Sequence, residues 1–239
     1  QLGALMGHET QLRMPLIDFQ KLQKKFNFID ASKLMRKLRN IKSQEEIKKI
    51  RFICQQTSES FEALPQTLKV GKTEYENCQQ LKIDLLERGA DSVPYLVASS
   101  GKHGYKGIIM GPTERVIEKD DILIIDTGAK FDGYFCDFDR NFAFSPPGTE
   151  VQQAYNLEYR ATDAGFFAAH PGATTSDLWH AMSSILENGA SQLNQIGRMG
   201  HGIGMQLTEG PSVAPNDETI LEVGMVLTLE PSMTMVTGK

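Results

Sequence analysis

The stretch Asp121-Ile-Leu-Ile-Ile-Asp126-Thr-Gly-Ala-Lys-Phe-Asp132-Gly133-Tyr-Phe-Cys-Asp137-Phe-Asp139-Arg140 decides how this chain is read. Four apolar residues in a row make 121–126 a buried strand, and that strand ends on the carboxylate of Asp126. Asp132-Gly133 is a hairpin signal, because the tight turn needs positive φ at both central positions. Residues 134–144 then alternate, with aromatic side chains at 138, 142 and 144. A hairpin folded about that turn sets position 126 opposite 139 and position 137 opposite 128. Asp126 and Asp137 become close neighbours, and two carboxylates that near repel unless a cation lies between them. Oxygen ligands of this kind suit Mn, Fe, Co or Zn. By itself the pair also fits turn caps or surface charges.

Two segments further along add to it. Gly200-His201-Gly202-Ile203-Gly204 sets a histidine between glycines, where other backbones or a ligand can approach closely. Leu227-Thr-Leu-Glu230-Pro231 ends another apolar run on a glutamate. Alone, that histidine could be a satisfied core residue and that glutamate half of a salt bridge. Gly-rich strands are expected around 197–209 and 224–236.

Upstream the signals are helical. Ser43-Gln-Glu-Glu46 and Thr73-Glu-Tyr-Glu76 are capping boxes. The first opens a helix carrying Ile47, Ile50, Ile53 and Cys54 to about Leu64. The second opens one through Leu81, Leu85 and Leu86 that ends near Gly89. A short apolar strand follows at 92–97, and two more helices are expected at about 150–169 and 176–189. Residues 1–40 are rich in Lys and Gln and carry few strand signals, so 1–41 reads as the tail of a preceding domain plus a linker, with a second domain at 42–239. The fold class is α+β, with helices segregated from a mostly antiparallel sheet.

Composition excludes several functions. At 239 residues with 40% hydrophobic content, the chain can bury a real core. A net charge of -5 argues against a nucleic-acid surface. The one basic run, Lys33-Leu-Met-Arg36-Lys37-Leu-Arg39, reads as a solvated helix face or linker. No apolar run approaches the ~20 residues of a membrane span. Three cysteines without a CxxC pair suggest reduced thiols and a cytoplasmic protein.

Taken in order, Ile-Ile-Asp126-Thr-Gly-Ala, Asp-Gly-Tyr134-Phe-Cys-Asp137-Phe-Asp-Arg140, Gly-His201-Gly-Ile-Gly and Leu-Thr-Leu-Glu230-Pro resemble the pita-bread metallopeptidases. That family includes methionine aminopeptidase, aminopeptidase P, prolidase and creatinase. The resemblance covers about 43–239, with the Xaa-Pro branch nearest. It implies a pita-bread fold, an antiparallel sheet flanked by helices. It also implies a metal-dependent hydrolase of the Xaa-Pro aminopeptidase or dipeptidase kind, usually a homodimer, acting on a small peptide or amide. Two divalent metal ions are implied: Asp126 on one, Asp137 bridging, His201 and Glu230 on the other. The family's fifth ligand, a second bridging Glu, falls beyond Lys239. The C-terminal end of the domain is therefore expected to be missing, and this chain could hold two ions, one or none.

The resemblance also has gaps. Peptidases of the family carry two further histidines near the metals. Ile109 and Met110 stand where one is expected, and Thr208 replaces the other. His103 is the nearby histidine that could substitute. Asp139 stands where Thr is usual, on the face of Asp137, as an added ligand, a proton acceptor or the partner of Arg140 or Arg115. Glu209 remains from the peptidase pattern and could contact the bridging water or a metal-bound residue. A Thr hydroxyl can donate one hydrogen bond but cannot carry positive charge. The alternatives are a non-peptidase amidohydrolase of the same fold (creatinase-like or ectoine-hydrolase-like) and, lower because Gly128 lacks a second Asp, a dimethylsulfoniopropionate lyase. A third is a binding module without catalysis.

Overall fold

The computed structural model describes residues 1–7, 10–102, 104–105, 107, 110–188, 191–193 and 197–235. Its first elements are β1 (Leu2–Ala4), α1 (Leu16–Gln23), β2 (Phe28–Asp30) and α2 (Ser32–Asn40). Here expectation and structure differ: β1 and β2 form a parallel pair, Leu2 beside Phe28, in a region with few strand signals. The strands are three residues each, too short for an alternation to register.

Helices α3 (Gln44–Ala63) and α4 (Glu74–Glu87) begin where the capping boxes predict. Ser43 Oγ accepts from Glu46 N while Glu46 accepts from Ser43 N, and Thr73 and Glu76 do the same. Each box satisfies two backbone donors that the helix leaves open. Helix α4 ends before Gly89, whose φ of +100 suits a residue without Cβ.

The central sheet is β3 (Ser92–Lys102), β4 (Asp121–Phe131), β5 (Tyr134–Phe135) and β6 (Phe138–Ala143). All its pairings are antiparallel. Strand β4 lies in the middle and buries Ile122, Leu123, Ile124 and Ile125. Its hairpin partner runs in one register throughout: Lys130 faces Phe135, Asp126 faces Asp139 and Ile122 faces Ala143. Asp132 has φ +44 and Gly133 φ +86, the turn geometry that the Asp-Gly pair favours.

One core lies under this sheet, where Ile53, Phe61, Leu81, Leu85, Leu123 and Ile125 pack together. Burying each such side chain stabilises the fold by about 1.5–3 kcal/mol. A second core joins α5 (Thr149–Ala168) and α6 (Thr175–Asn188) to the segments after them, through Leu157, Leu178, Met182, Leu186, Met199 and Val213. The closing strands are shorter than the sequence suggests: β7 (Ser191–Leu193), β8 (His201–Gly202), β9 (Glu209–Ser212) and β10 (Met233–Met235). Glycine-rich backbone there bonds in isolated steps, as at Gly202–Leu227, rather than in a long ladder. Among the described residues no helix is long and apolar enough to cross a membrane.

Candidate metal centre

The hairpin turns alternate side chains to opposite faces. Cys136 points inward, its thiol 3.1 Å from Thr57 Oγ1 of α3. Asp137 therefore points out of the first core. On the other side, β8 is squeezed between two backbones. A Cβ on Gly200 would collide with the Thr228 carbonyl, and one on Gly202 with the Gly210 carbonyl. Those two glycines let 227–230 and β9 close on His201 from both sides. His201 N donates to Thr228 Oγ1 (3.0 Å), Thr228 N to the His201 carbonyl (2.8 Å) and Glu230 N to the Met199 carbonyl (3.0 Å).

The two cores thus meet at three side chains. His201 Nε2 lies 3.4 Å from Asp137 Oδ2 and 3.3 Å from Glu230 Oε1. One ligand atom from each of Asp137, His201 and Glu230 falls within 4.8 Å of the others. His201 Nδ1 is 2.9 Å from the Gly202 carbonyl. A carbonyl only accepts, so Nδ1 carries a proton and Nε2 is turned to the carboxylates. Asp126 stands outside that trio but inside its field. Burial, then the charges of Asp137, Asp139 and Glu230, push its carboxyl up to about 7, with His201 pulling the other way.

The rest of the cluster carries the same strain. Burial raises Glu230, with Asp137 and Asp139 adding to it and His201 opposing. Burial disfavours the charged form of His201, but Asp137, Glu230 and the Gly202 carbonyl outweigh it and hold the imidazole above its ordinary value. A close set of one imidazole and several carboxylates, with His201 buried and Asp126 pushed up by its acidic neighbours, fits a divalent cation by donor type and by charge.

Three contributors escaped the sequence reading. Tyr95 in β3 donates its hydroxyl to Asp137 Oδ1 and so holds that carboxylate in place. Glu158 of α5 is pushed up to about 7 by burial and by Asp139. Lys42 is buried with its ammonium 3.6 Å from Glu209 Oε2. A tyrosine on the face of a strand that pairs with β4 was the one available signal; the other two carry none.

The remaining expected residues separate. Asp139 is directly opposite Asp126 on the site face but exposed. Arg115, one of its expected partners, is taken by Asp121 at 2.6 Å, and Arg140 reaches the Asp139 backbone carbonyl instead. Thr208 is half-buried in the loop between β8 and β9. Glu209 opens β9, and its carboxylate meets Lys42 and the Gln206 amide (3.0 Å). His103 and Ile109 lie outside the described residues, and Met110 is exposed. The basic run is less solvated than expected, since Arg36 packs against Gly210.

Comparison with known proteins agrees with this geometry. Residues 48–239 match the model of metallopeptidase family M24. The chain belongs to that family. It is 28% identical over 171 residues to the probable dipeptidase PepE of Mycobacterium tuberculosis, covering 71% of this chain and 45% of the relative. It is 28% identical over 181 residues to the Xaa-Pro dipeptidase of Lactobacillus delbrueckii, covering 75% and 49%. Among solved structures, the prolidase from Pyrococcus horikoshii superposes with a TM-score of 0.85 at 28% identity, over 92% of this chain and 64% of that one. The fold is therefore that of the prolidases, α+β as the motifs implied. The chain spans about half the length of the curated relatives it matches.

Proposed function

We propose that this chain is the metal-binding part of a metal-dependent hydrolase that cleaves the bond before proline in short peptides. The observation that carries the reading is the His201–Asp137–Glu230 cluster, its histidine buried, on a prolidase-like fold. Asp126, Asp137, His201 and Glu230 would hold divalent metal, two ions in the complete site, of Mn, Co, Fe or Zn type. Bound there, the metal would supply a Lewis acid and a water of lowered pKa. The chain's own residues do the rest. The Gly202 carbonyl fixes the His201 ring, Tyr95 fixes Asp137, and the second core packs Met199, Leu227 and Leu229 of the segments that carry His201 and Glu230. Asp139 would accept a proton at the open edge, while Thr208 would offer a single hydrogen bond to substrate. His103 would supply a further donor in place of a missing histidine.

The same reading takes the protein as a cytoplasmic homodimer, with residues 1–41 a piece of a preceding domain plus linker. Three free thiols fit the compartment. Thr208, in place of the peptidase histidine, favours one second reading: an amidohydrolase of this fold acting on a small metabolite.

The test is turnover by the complete gene product on Ala-Pro and a Xaa-Pro-Xaa peptide with Mn(II) or Co(II), alongside metal analysis. A filled site without peptide turnover ends the peptidase reading. Absence of stoichiometric metal ends the enzyme reading altogether.

A further inference from the structure

Lys42 is a cation with almost no water around it. Its side chain is 2% exposed, and that of its partner Glu209 is 4% exposed. Burial pulls the ammonium below its ordinary value, against the raising effect of Glu209. Glu209 Oε2 has no hydrogen-bond donor, so its charge is answered by Lys42 alone among the described residues. Its other oxygen accepts from Gln206 N at 3.0 Å. Burying two charges is costly unless they serve each other, and removing one strands the other.

The pair ties distant parts of the chain. Lys42 precedes α3, and its amide donates to the Gly224 carbonyl at 2.9 Å. Next to it, the Asn40 amide, oriented with its nitrogen toward two carbonyls, donates to Gly210 at 2.8 Å and to Arg36 at 3.0 Å. Arg36 itself packs on Gly210, where a Cβ would come within 3.2 Å of its Cδ. Residues 36–42 therefore grip the start of β9. The gripped segment ends the loop 203–208, which leaves His201 and carries Thr208. That loop also rests on the metal-binding hairpin, with Phe135 N donating to the Gly204 carbonyl at 2.8 Å.

We propose that Lys42 is a positioning residue, which acts through Glu209 to hold the loop 203–208 in register between the His201 strand and the Asp137 hairpin. It touches none of the candidate metal ligands. The inference deepens the hydrolase reading and rests on it where turnover is concerned. Lys42 joins the segment that leads into the catalytic domain to the loop that borders the site, so a change in one is felt in the other.

The experiment is hydrogen exchange of the complete gene product, read at 204–208 and at α4, together with Ala-Pro turnover. In Lys42→Met the 204–208 amides exchange at least ~10-fold faster while α4 is unchanged. Lys42→Arg, which keeps the cation, stays within ~3-fold of the unaltered protein, and kcat/KM follows the same order. If Lys42→Met does not fold, the double variant Lys42→Met/Glu209→Gln removes both charges and is expected to show the same local loosening. Exchange at 204–208 within ~2-fold of the unaltered protein, or rising in step with α4, overturns the proposal. Absence of turnover in the unaltered protein counts against the peptidase reading alone, since the exchange comparison still decides the role of Lys42.

Discussion

His201 Nε2 lies 3.4 Å from Asp137 Oδ2, and that contact joins the two hydrophobic cores. Asp137 follows Cys136, which packs in the core under the sheet, while His201 lies between Met199 of the other core and the paired strand β9. A cation bound between them would cross-link the halves as well as activate water, so stability and metal occupancy should move together.

Stability of the metal-free protein should fall as pH rises. Asp126 and Glu158 hold protons up to about 7 in the folded state, above their ordinary range. Between about pH 4 and 7 the folded protein binds more protons than the unfolded chain, and stability drops across that window. His201, also raised, acts in the same direction, since its favourable charge is lost as pH passes its folded value. Thermal melts with chelator should lose on the order of 2 kcal/mol, about 4–8 °C, from pH 5 to pH 8. Added Mn(II) should reverse the trend, because it binds the deprotonated ligands. A metal-free Tm that rises over this range would contradict the account.

Tyr95→Phe removes the hydroxyl that holds Asp137 and leaves the ring in place. Loss of such an outer partner costs about 10–100-fold in metal affinity. Titration calorimetry with Mn(II) is expected to show that loss, with far-UV circular dichroism unchanged. Equal affinity in the two proteins would mean that Asp137 needs no such anchor.

Thr208→His restores an imidazole where peptidases of the family carry one. A positioned acid–base group contributes about 100–10,000-fold to such reactions. Even imperfect placement should raise kcat on Ala-Pro by at least ~10-fold, with a new pH dependence near the histidine range. No rise, in a variant that binds metal normally, would favour the small-metabolite reading.

Gly200→Ala asks two things of the chain that alanine does not provide. The residue sits at φ +146, and its Cβ would meet the Thr228 carbonyl. We expect a loss of about 2–4 kcal/mol in urea unfolding together with weakened metal binding, since Thr228 braces both His201 and Glu230. A loss below ~0.5 kcal/mol would show that the strand yields easily.

What was legible in the sequence was local. The capping boxes at Ser43 and Thr73 are complete within four residues, and the Asp132-Gly133 turn dictates the whole ladder from Lys130–Phe135 to Ile122–Ala143. Asp126 opposite Asp139 follows from counting across that turn. The glycine-rich closing segments were legible as strands in kind but not in length. Their hydrogen bonds go to several neighbours at once, which no period of two can announce.

The sequence by itself determined the helices α3 to α6, the hairpin register, the α+β class and the four residues with metal-ligand chemistry. Only the tertiary structure decided that His201, Asp137 and Glu230 come within reach of one another while Asp126 stands outside that trio. It alone decided that Tyr95 anchors Asp137, that Glu158 faces Asp139, and that Glu209 answers to Lys42. The reason is physical. A cap or a turn is specified by neighbours along the chain, whereas the partner of a buried charge is whatever the packing of two cores brings beside it.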